Sequence, residues 1–343
     1  MKPRIEIHFR FREQLAFVFG TPYRPQEREY LLNHARSGIL LALQSLNLPA
    51  GGKVGVMAYN CHTVFNAVAQ AGFHPVFLDV TSELKLDIED LKAKKSNICA
   101  LVVTHLFGIQ NNLEAIRSIC PGIPIIEDCA HAFGIESFQG DFSITSIGQG
   151  KLLSVGDGGI MYVNNDSYIE DVDRLYRDIP NYTILDDFYL FGLLWIRGLL
   201  YHPFVYKHFT EPMKRRKAYS SGMERIKVQK MSNGIRRIYE TERRQVSEII
   251  RMRKQNAKDI IDSITDPSIS FCCGDNAFML VAQCETPDEL RLWLRDRGID
   301  SATHFAHSLD WARNFGYQKG MCPKVEYLTK HLLMIPTYGY EKA

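Results

Sequence analysis

Paired cysteine motifs are missing from this 343-residue chain. Its eight cysteines stand at 61, 99, 120, 129, 272, 273, 284 and 322, and only Cys272 and Cys273 are close. Without a CxxC pair, neither a zinc site nor a disulfide framework is indicated, and no metal is expected. The thiols are expected to be reduced and mostly in the core, as in a cytoplasmic protein. An excess of one charge is also missing. The 41 Lys+Arg and 39 Asp+Glu leave +2, so the whole chain does not carry the electrostatic footprint of a nucleic-acid binder. No run of 20 residues is continuously apolar, so no membrane-spanning helix is expected. Residues 1–20 mix charged with apolar residues and lack the apolar core of a secretion signal. There is no tandem repeat and no low-complexity tract. What remains is an ordinary globular composition, 45% hydrophobic and 23% charged, enough for two domains or one large domain with a lobe.

Up to about residue 165, short apolar runs alternate with helical periodicity. Strands are expected at 54–57, 75–78, 100–104, 124–126, 142–147 and 160–163, and helices at 30–46, 63–71, 88–95 and 113–120. Gly72 is placed to stop the second helix. This alternation implies an α/β fold with a mostly parallel sheet covered on both faces. Ligands of such sheets bind beyond the carboxyl ends of the strands. Asp128, Ser146 and the 105–108 segment belong to that edge.

The stretch 125–163 concentrates the chemistry. Glu127 and Asp128 end one apolar run, and Lys151 follows the next one, 23 residues after Asp128. Gly148 and Gly150 flank the lysine, and Gly156-Asp157-Gly158-Gly159 opens a further run. Small neighbours let Lys151 turn its amine inward, and partial desolvation lowers its pKa. An acid and a lysine so placed suit pyridoxal 5'-phosphate (PLP), with an imine at the lysine and the acid against the ring nitrogen. A surface lysine on a turn is the plain alternative. Successive side chains on a strand point to opposite faces, so only one of Glu127 and Asp128 enters a pocket. Asp128 also suits an N-cap for 129–132. His131 is within reach of a ring hydroxyl, although lone histidines more often sit in a core or rim. Ser146 offers a hydroxyl to phosphate. The polar start of the first helix, 33–37, offers free N–H groups, with Arg36 adding charge or making a surface ion pair. In the Tyr59-Asn60-Cys61-His62 segment, an aromatic or imidazole ring is placed to stack on a cofactor.

The pattern changes after 180. Segment 188–206 is strongly apolar, with Arg197 as its single charge, and Lys214-Arg215-Arg216-Lys217 follows. This pairing fits peripheral contact of 188–217 with an anionic membrane, or a helix pair at a dimer interface. One long amphipathic helix is expected over 232–263. Residues 214–254 carry 14 basic and 4 acidic side chains, suited to a nucleotide diphosphate or simply to a solvated helix face. Strands at 277–282 and 301–305 flank a helix over 286–297 that Gly298 stops, with His304 and His307 near the cleft or the rim. The organisation is therefore read as 1–180, a large cofactor-binding domain; 181–228, an apolar and basic insert; and 229–343, a small α+β lobe.

Several motifs in order resemble the DegT/StrS-type sugar aminotransferases, a branch of the fold-type I PLP enzymes. Glu127-Asp128-Cys129-Ala130-His131 is similar to their ED-A-A-(Q/H) motif. Gly140-Asp141 with Ser146, Lys151 and Gly156-Asp157-Gly158-Gly159 is similar to their GD…S…K…GEGG block. Ala35-Arg36-Ser37 resembles their phosphate turn, and 54–80 the segment that brings a ring over the cofactor and ends in an aspartate, here Asp79. His105-Leu106-Phe107-Gly108 resembles a strand end of the family, and Met231-Ser232-Asn233 and Ile335-Pro336-Thr337 are fainter likenesses. The resemblance implies that Lys151 bonds PLP and carries the transferred proton, that Asp128 meets the ring nitrogen, and that His131 meets the ring hydroxyl. It implies that Ser146, Ala35 and Arg36 bind the phosphate. Cys61 stands where many members have the stacking aromatic, with His62 as a substitute. It further implies transfer of an amino group from glutamate or glutamine to a nucleotide-linked keto-sugar, for glycan or secondary-metabolite synthesis, by a homodimer. The chain departs from the family at Val228, where a partner-subunit asparagine is common, at Asp157 in place of Glu, and throughout 181–228. Sugar dehydratases of this fold carry histidine in place of the lysine, so Lys151 argues against that activity. A non-catalytic partner protein of this fold, associated with a membrane, is the remaining alternative.

Overall fold

The computed structural model describes residues 1–216 and 224–339. In chain order the first half runs α1 (Phe11–Phe19), β1 (Glu29–Leu32), α2 (Ala35–Ser45), β2 (Lys53–Met57), α3 (His62–Gln70), β3 (His74–Leu78), α4 (Ile88–Lys94), β4 (Ala100–Thr104), α5 (Leu113–Ile119), β5 (Ile125–Cys129), β6 (Phe142–Ser146), β7 (Gly159–Val163) and α6 (Ile169–Arg177). These strands form one sheet in the order β1-β7-β6-β5-β4-β2-β3. β3, β2, β4, β5 and β6 are parallel, and β7 and β1 add antiparallel to the β6 edge. β4, β5 and β6 are buried at every position, which is why they read as continuous apolar runs rather than as alternation.

The expected helix over 30–46 begins late. Tyr30, Leu31 and Leu32 pair with Met161, Ile160 and Gly159 of β7, and the helix starts only at Ala35. The open edge of β7 offers these apolar residues backbone hydrogen bonds and burial that a helix turn would not. Glu127 and Asp128 lie inside β5, which pairs with β4 up to Asp128 and with β6 up to Cys129.

The second half contains α7 (Ile184–Leu200), α8 (Pro203–Val205), α9 (Glu211–Arg216), α10 (Asn233–Glu242), α11 (Val246–Ser263), α12 (Pro287–Asp296), α13 (Ser308–Arg313) and α14 (Pro323–His331). An antiparallel sheet of β8 (Ser270–Cys273), β9 (Met279–Gln283) and β10 (Leu332–Pro336) runs in the order β10-β9-β8. Its separate apolar core joins Ile260, Leu280, Leu290, Leu294 and Leu333. The single helix expected over 232–263 is two helices, joined by a tight turn at Arg243–Gln245. Residues 301–305 are not a strand; Ala302 makes one bridge to Met334, and the chain then turns, with Phe305 at φ 59°. β8 and β10 flank β9 and complete this sheet without that segment. Lys214, Arg215 and Arg216 have only their backbone described, and Lys217 lies outside the described residues.

Part of the basic excess of 214–254 is paired. Glu240 pairs with Arg243 and Arg244, Glu248 with Arg251, and Arg253 is buried against Glu6. The pairs at Glu240 and Glu248 are those of a solvated helix face.

Candidate functional site

Strand register sorts the two carboxylates. Asp128 lies beside Thr104 and Glu127 beside Val103, so the pair faces opposite sides of the sheet. Glu127 accepts hydrogen bonds from His105 Nε2 (3.3 Å), Ser137 Oγ (2.7 Å) and the Gly140 N–H. Burial pushes its carboxyl up, but these donors outweigh burial and hold it below the usual range. His105, Glu127 and Cys129 place ligand-type atoms within 4.8 Å of one another, but all three are buried and the carboxylate oxygens already serve protein donors. That cluster braces β5.

Asp128 faces a cavity of about 360 Å³. It accepts from the Ala130 N–H (3.0 Å) and from Thr104 Oγ1 (3.2 Å), and Asn60 Nδ2 donates to Thr104 Oγ1 at 2.8 Å. Burial raises the Asp128 carboxyl, with Ala130, Lys151 and Thr104 pulling it back in part. The expected helix over 129–132 is absent: Cys129 ends β5 and a turn follows, so the Ala130 bond closes that turn, and Asp128 is a buried acid whose proton affinity is raised.

Lys151 lines the same cavity. Burial lowers its amine, and the negative charges of Cys61 and Asp128 oppose that shift. Its turn is pinned from three sides. The Lys151 N–H reaches Gly148 O (3.2 Å), Ser154 Oγ joins the Gly150 N–H (3.0 Å) to Glu6 O (2.8 Å), and Arg253 reaches Leu152 O (3.4 Å). Gly150 has φ +74°, and a Cβ there would lie 3.0 Å from Ile5. Only glycine fits a position that needs both this backbone and this close approach.

His131 is buried at the cavity wall. Its Nδ1 accepts the Phe107 N–H at 3.2 Å, and its ring stacks on Phe107 (5.4 Å) and Phe278 (4.7 Å). Burial holds its pKa well below the usual value, and Lys151 and His304 push the same way. The imidazole is therefore neutral with its proton on Nε2, so it is a donor.

The far end of the cavity is the start of α2. His34 caps that helix by backbone alone, so no side chain fills the space before the N–H groups of Ala35 and Arg36. Gly159 is pressed against this turn; a Cβ would lie 2.4 Å from Ala35 N. Ala35, Arg36, Ser146, Gly148 and Gly156-Asp157-Gly158 line this end, and Asp157 pairs with His34 Nδ1 at 2.5 Å.

The structure thus brings Lys151, Asp128, His131, Ser146, Ala35, Arg36 and Cys61 to one cavity. It does not bring His62 there. The His62 ring packs on Trp311 of α13 (4.8 Å), with Nδ1 at 3.9 Å from Cys61 Sγ. Cys61 Sγ also accepts from Thr63 Oγ1 (3.1 Å), and although burial opposes it, the His62 and Thr63 contacts lower the thiol pKa. Asp79 is not at the cavity; it caps α14 by accepting from the Lys324 and Val325 N–H groups, each at 2.9 Å. His304 lies near Lys151 and its pKa is pushed down to about 3 by burial and the positive charges of Lys151 and Arg4. His307 pairs with Asp310 at the surface. Sequence reasoning missed Thr104, Arg197 and Phe305, which also line the cavity. Thr104 ends an apolar run, which was a usable signal; the other two depend on distant packing.

The α/β sheet thus places a lysine, a buried acid and a helix start around one cavity. Residues 30–179 match the model of the DegT/DnrJ/EryC1/StrS aminotransferase family. The GDP-perosamine synthase of Vibrio cholerae is 31% identical over 146 residues, 39% of this chain and 40% of the synthase. That match spans well under two thirds of the relative. The fold is that of the sugar aminotransferases. The aminotransferase TlmJ of Streptoalloteichus hindustanus superposes with a TM-score of 0.74 and 18% identity, covering 98% of this chain and 93% of TlmJ. The PLP-form of the putative sugar aminotransferase Spr1654 of Streptococcus pneumoniae does so with 0.74 and 15%, again over 98% and 93%.

Proposed function

We propose that the protein is a PLP-dependent aminotransferase that moves an amino group from glutamate or glutamine to a nucleotide-linked keto-sugar. The convergence of Lys151, Asp128 and His131 on one cavity with the open start of α2 carries this reading. The residues fit the cofactor. Cys61, small and uncharged in its protonated form, leaves room above a flat ring. Asp128 is a buried acid suited to share a proton with a ring nitrogen, and His131 Nε2 is a fixed donor for a ring oxygen. Ser146, Arg36 and the α2 N–H groups suit a phosphate. Bound PLP supplies an electron-withdrawing ring and a carbonyl carbon to receive the amino group. Lys151, whose pKa burial lowers, acts as nucleophile and as carrier of a proton at Nζ. Thr104 and Asn60 hold the Asp128 carboxylate in place. The phenyl groups of Phe107, Phe278 and Phe305 surround His131 and keep water from that wall.

The likeness to a GDP-perosamine synthase supports a nucleotide-linked sugar as the acceptor. Purified protein given PLP should show a cofactor absorbance band that Lys151→Ala loses. It should release 2-oxoglutarate from glutamate only when a nucleotide-linked keto-sugar is present. A protein with no bound cofactor and no response to glutamate would overturn the reading in favour of a non-catalytic partner.

We further propose a cytoplasmic homodimer, in which residues 1–180 bind cofactor, 229–343 close the site, and 181–228 carry the contact with the second copy. α7 exposes Leu185, Phe188, Tyr189, Ile196 and Leu199, with Phe188 81% accessible, an apolar face too large for a free surface. Among the described residues no single helix is long and apolar enough to cross a membrane, and only the pair Ile184–Leu200 and Pro203–Met213, bent by 64°, passes that test jointly. A dimeric mass in light scattering that Leu185→Asp with Phe188→Asp reduces to a monomer supports the second copy. Flotation of the wild type with anionic liposomes, lost in that variant, would assign the face to lipid instead.

A further inference from the structure

α7 holds one residue that neither its apolar face nor its fold explains. Leu190 and Leu194 form the buried row of this helix, and Arg197 continues it one turn later. Two glycines set how closely the row approaches. A Cβ on Gly156 would lie 2.4 Å from Leu194, and a Cβ on Gly198 would lie 3.1 Å from Phe9 N. The helix is thereby seated on the Gly156-Asp157-Gly158 turn, the turn that bridges to His34 at the start of α2. Arg197 lines the cavity at that end, together with Arg36, Ser146 and Ala35. Its guanidinium makes no hydrogen bond or ion pair among the described residues, although it sits in a partly buried position where an unpaired charge is costly. Asp157, the nearest acid of the cavity by sequence position, is already paired with His34.

We propose that Arg197 is the second cationic ligand, beside Arg36, for a phosphate dianion seated at the start of α2, and that this phosphate is the cofactor's. The inference rests on the PLP reading above and adds a residue from the insert to it. The cavity carries Lys151, Arg36 and Arg197 against Asp128 and Asp157. A dianion bonded to the free N–H groups of Ala35 and Arg36 satisfies the helix start, and the planar fork of Arg197 closes over it from the α7 side. The insert therefore does two jobs, with its outer face apolar and its inner row capping the anion end of the site within the same chain.

The test is a binding titration that does not use turnover. PLP, pyridoxal (which lacks the phosphate) and inorganic phosphate are titrated against wild type, Arg197→Gln and Arg197→Lys, by cofactor absorbance and by phosphate competition with PLP. Arg197→Gln is expected to weaken PLP by at least roughly tenfold, to leave pyridoxal unchanged, and to abolish competition by inorganic phosphate. Arg197→Lys is expected to recover most of the PLP affinity. Equal PLP affinity in wild type and Arg197→Gln overturns the proposal, as does an equal loss for pyridoxal, which would mean a merely structural role. A change confined to the KM for amino donor or sugar, with PLP affinity intact, also overturns it, because the guanidinium would then serve the substrate. Wild type that binds neither PLP nor pyridoxal sinks the cofactor reading itself, and this inference with it.

Discussion

The Phe107 N–H donates to His131 Nδ1 at 3.2 Å, and this one bond decides what the histidine can do. With Nδ1 occupied as an acceptor and the ring held neutral by burial, Nε2 must carry the proton. His131→Phe keeps the stack on Phe278 but removes the donor. It is expected to weaken PLP by roughly tenfold while leaving the unfolding free energy within about 1 kcal/mol. Absorbance titration and denaturant unfolding read the two effects separately.

Acid should destabilise the protein through two buried histidines, His131 and His304. His304 is pushed down to about 3 and His131 also lies below its ordinary value, so the unfolded chain binds more protons than the native one as pH falls below about 6.5. Their contribution is present in full above pH 6.5 and is lost as pH falls towards the folded values. For His304 the loss amounts to about 2 kcal/mol between pH 7 and 5. Urea unfolding of apo protein at several pH values should show this slope, and His304→Phe should flatten it.

Arg253 ties the lysine turn to both ends of the chain. Its guanidinium meets Glu6 Oε2 at 2.9 Å, Phe278 O at 3.0 Å and Leu152 O at 3.4 Å while buried. Arg253→Met strands Glu6 and two carbonyls and is expected to cost about 3 kcal/mol or more, measured by unfolding. Glu6→Gln, which keeps a hydrogen-bonding group, is expected to cost less.

Cys61 should react faster than a more exposed thiol. His62 and Thr63 lower its pKa, whereas Cys273, although exposed, is pushed up to about 11 by burial of its sulfur surroundings and nearby Asp275. Iodoacetamide labelling at pH 7, followed by peptide mass spectrometry, is expected to modify Cys61 first. Saturating PLP should protect it, and His62→Gln should slow it.

Much of the site was legible because it depends on local rules. An acid and a lysine at adjacent strand ends, a serine on the intervening strand, and glycines around the lysine all follow from a period of two and from backbone freedom. The break at Arg243–Gln245 and the strand at Tyr30–Leu32 were not legible in the same way. In both, periodicity suggested a helix; at Tyr30–Leu32 the β7 edge offered pairing and burial instead, whereas the break falls at exposed Arg243 and Arg244, where no periodic signal marks it. His62 was placed at the cavity by its neighbour, but the α3 geometry sends Cys61 inward and His62 towards Trp311.

Residues 125–163 by themselves placed Asp128, Ser146 and Lys151 together, since the residue types and their spacing along consecutive strands need no distant contact to converge. The tertiary structure alone decided which distant groups complete the cavity. Arg197 arrives because Gly156 and Gly198 let α7 lie close, Phe305 because a turn replaces an expected strand, and Arg253 because α11 passes behind the lysine turn. Each is set by the approach of two elements far apart in sequence, and such an approach is fixed by packing volume rather than by any pattern along the chain.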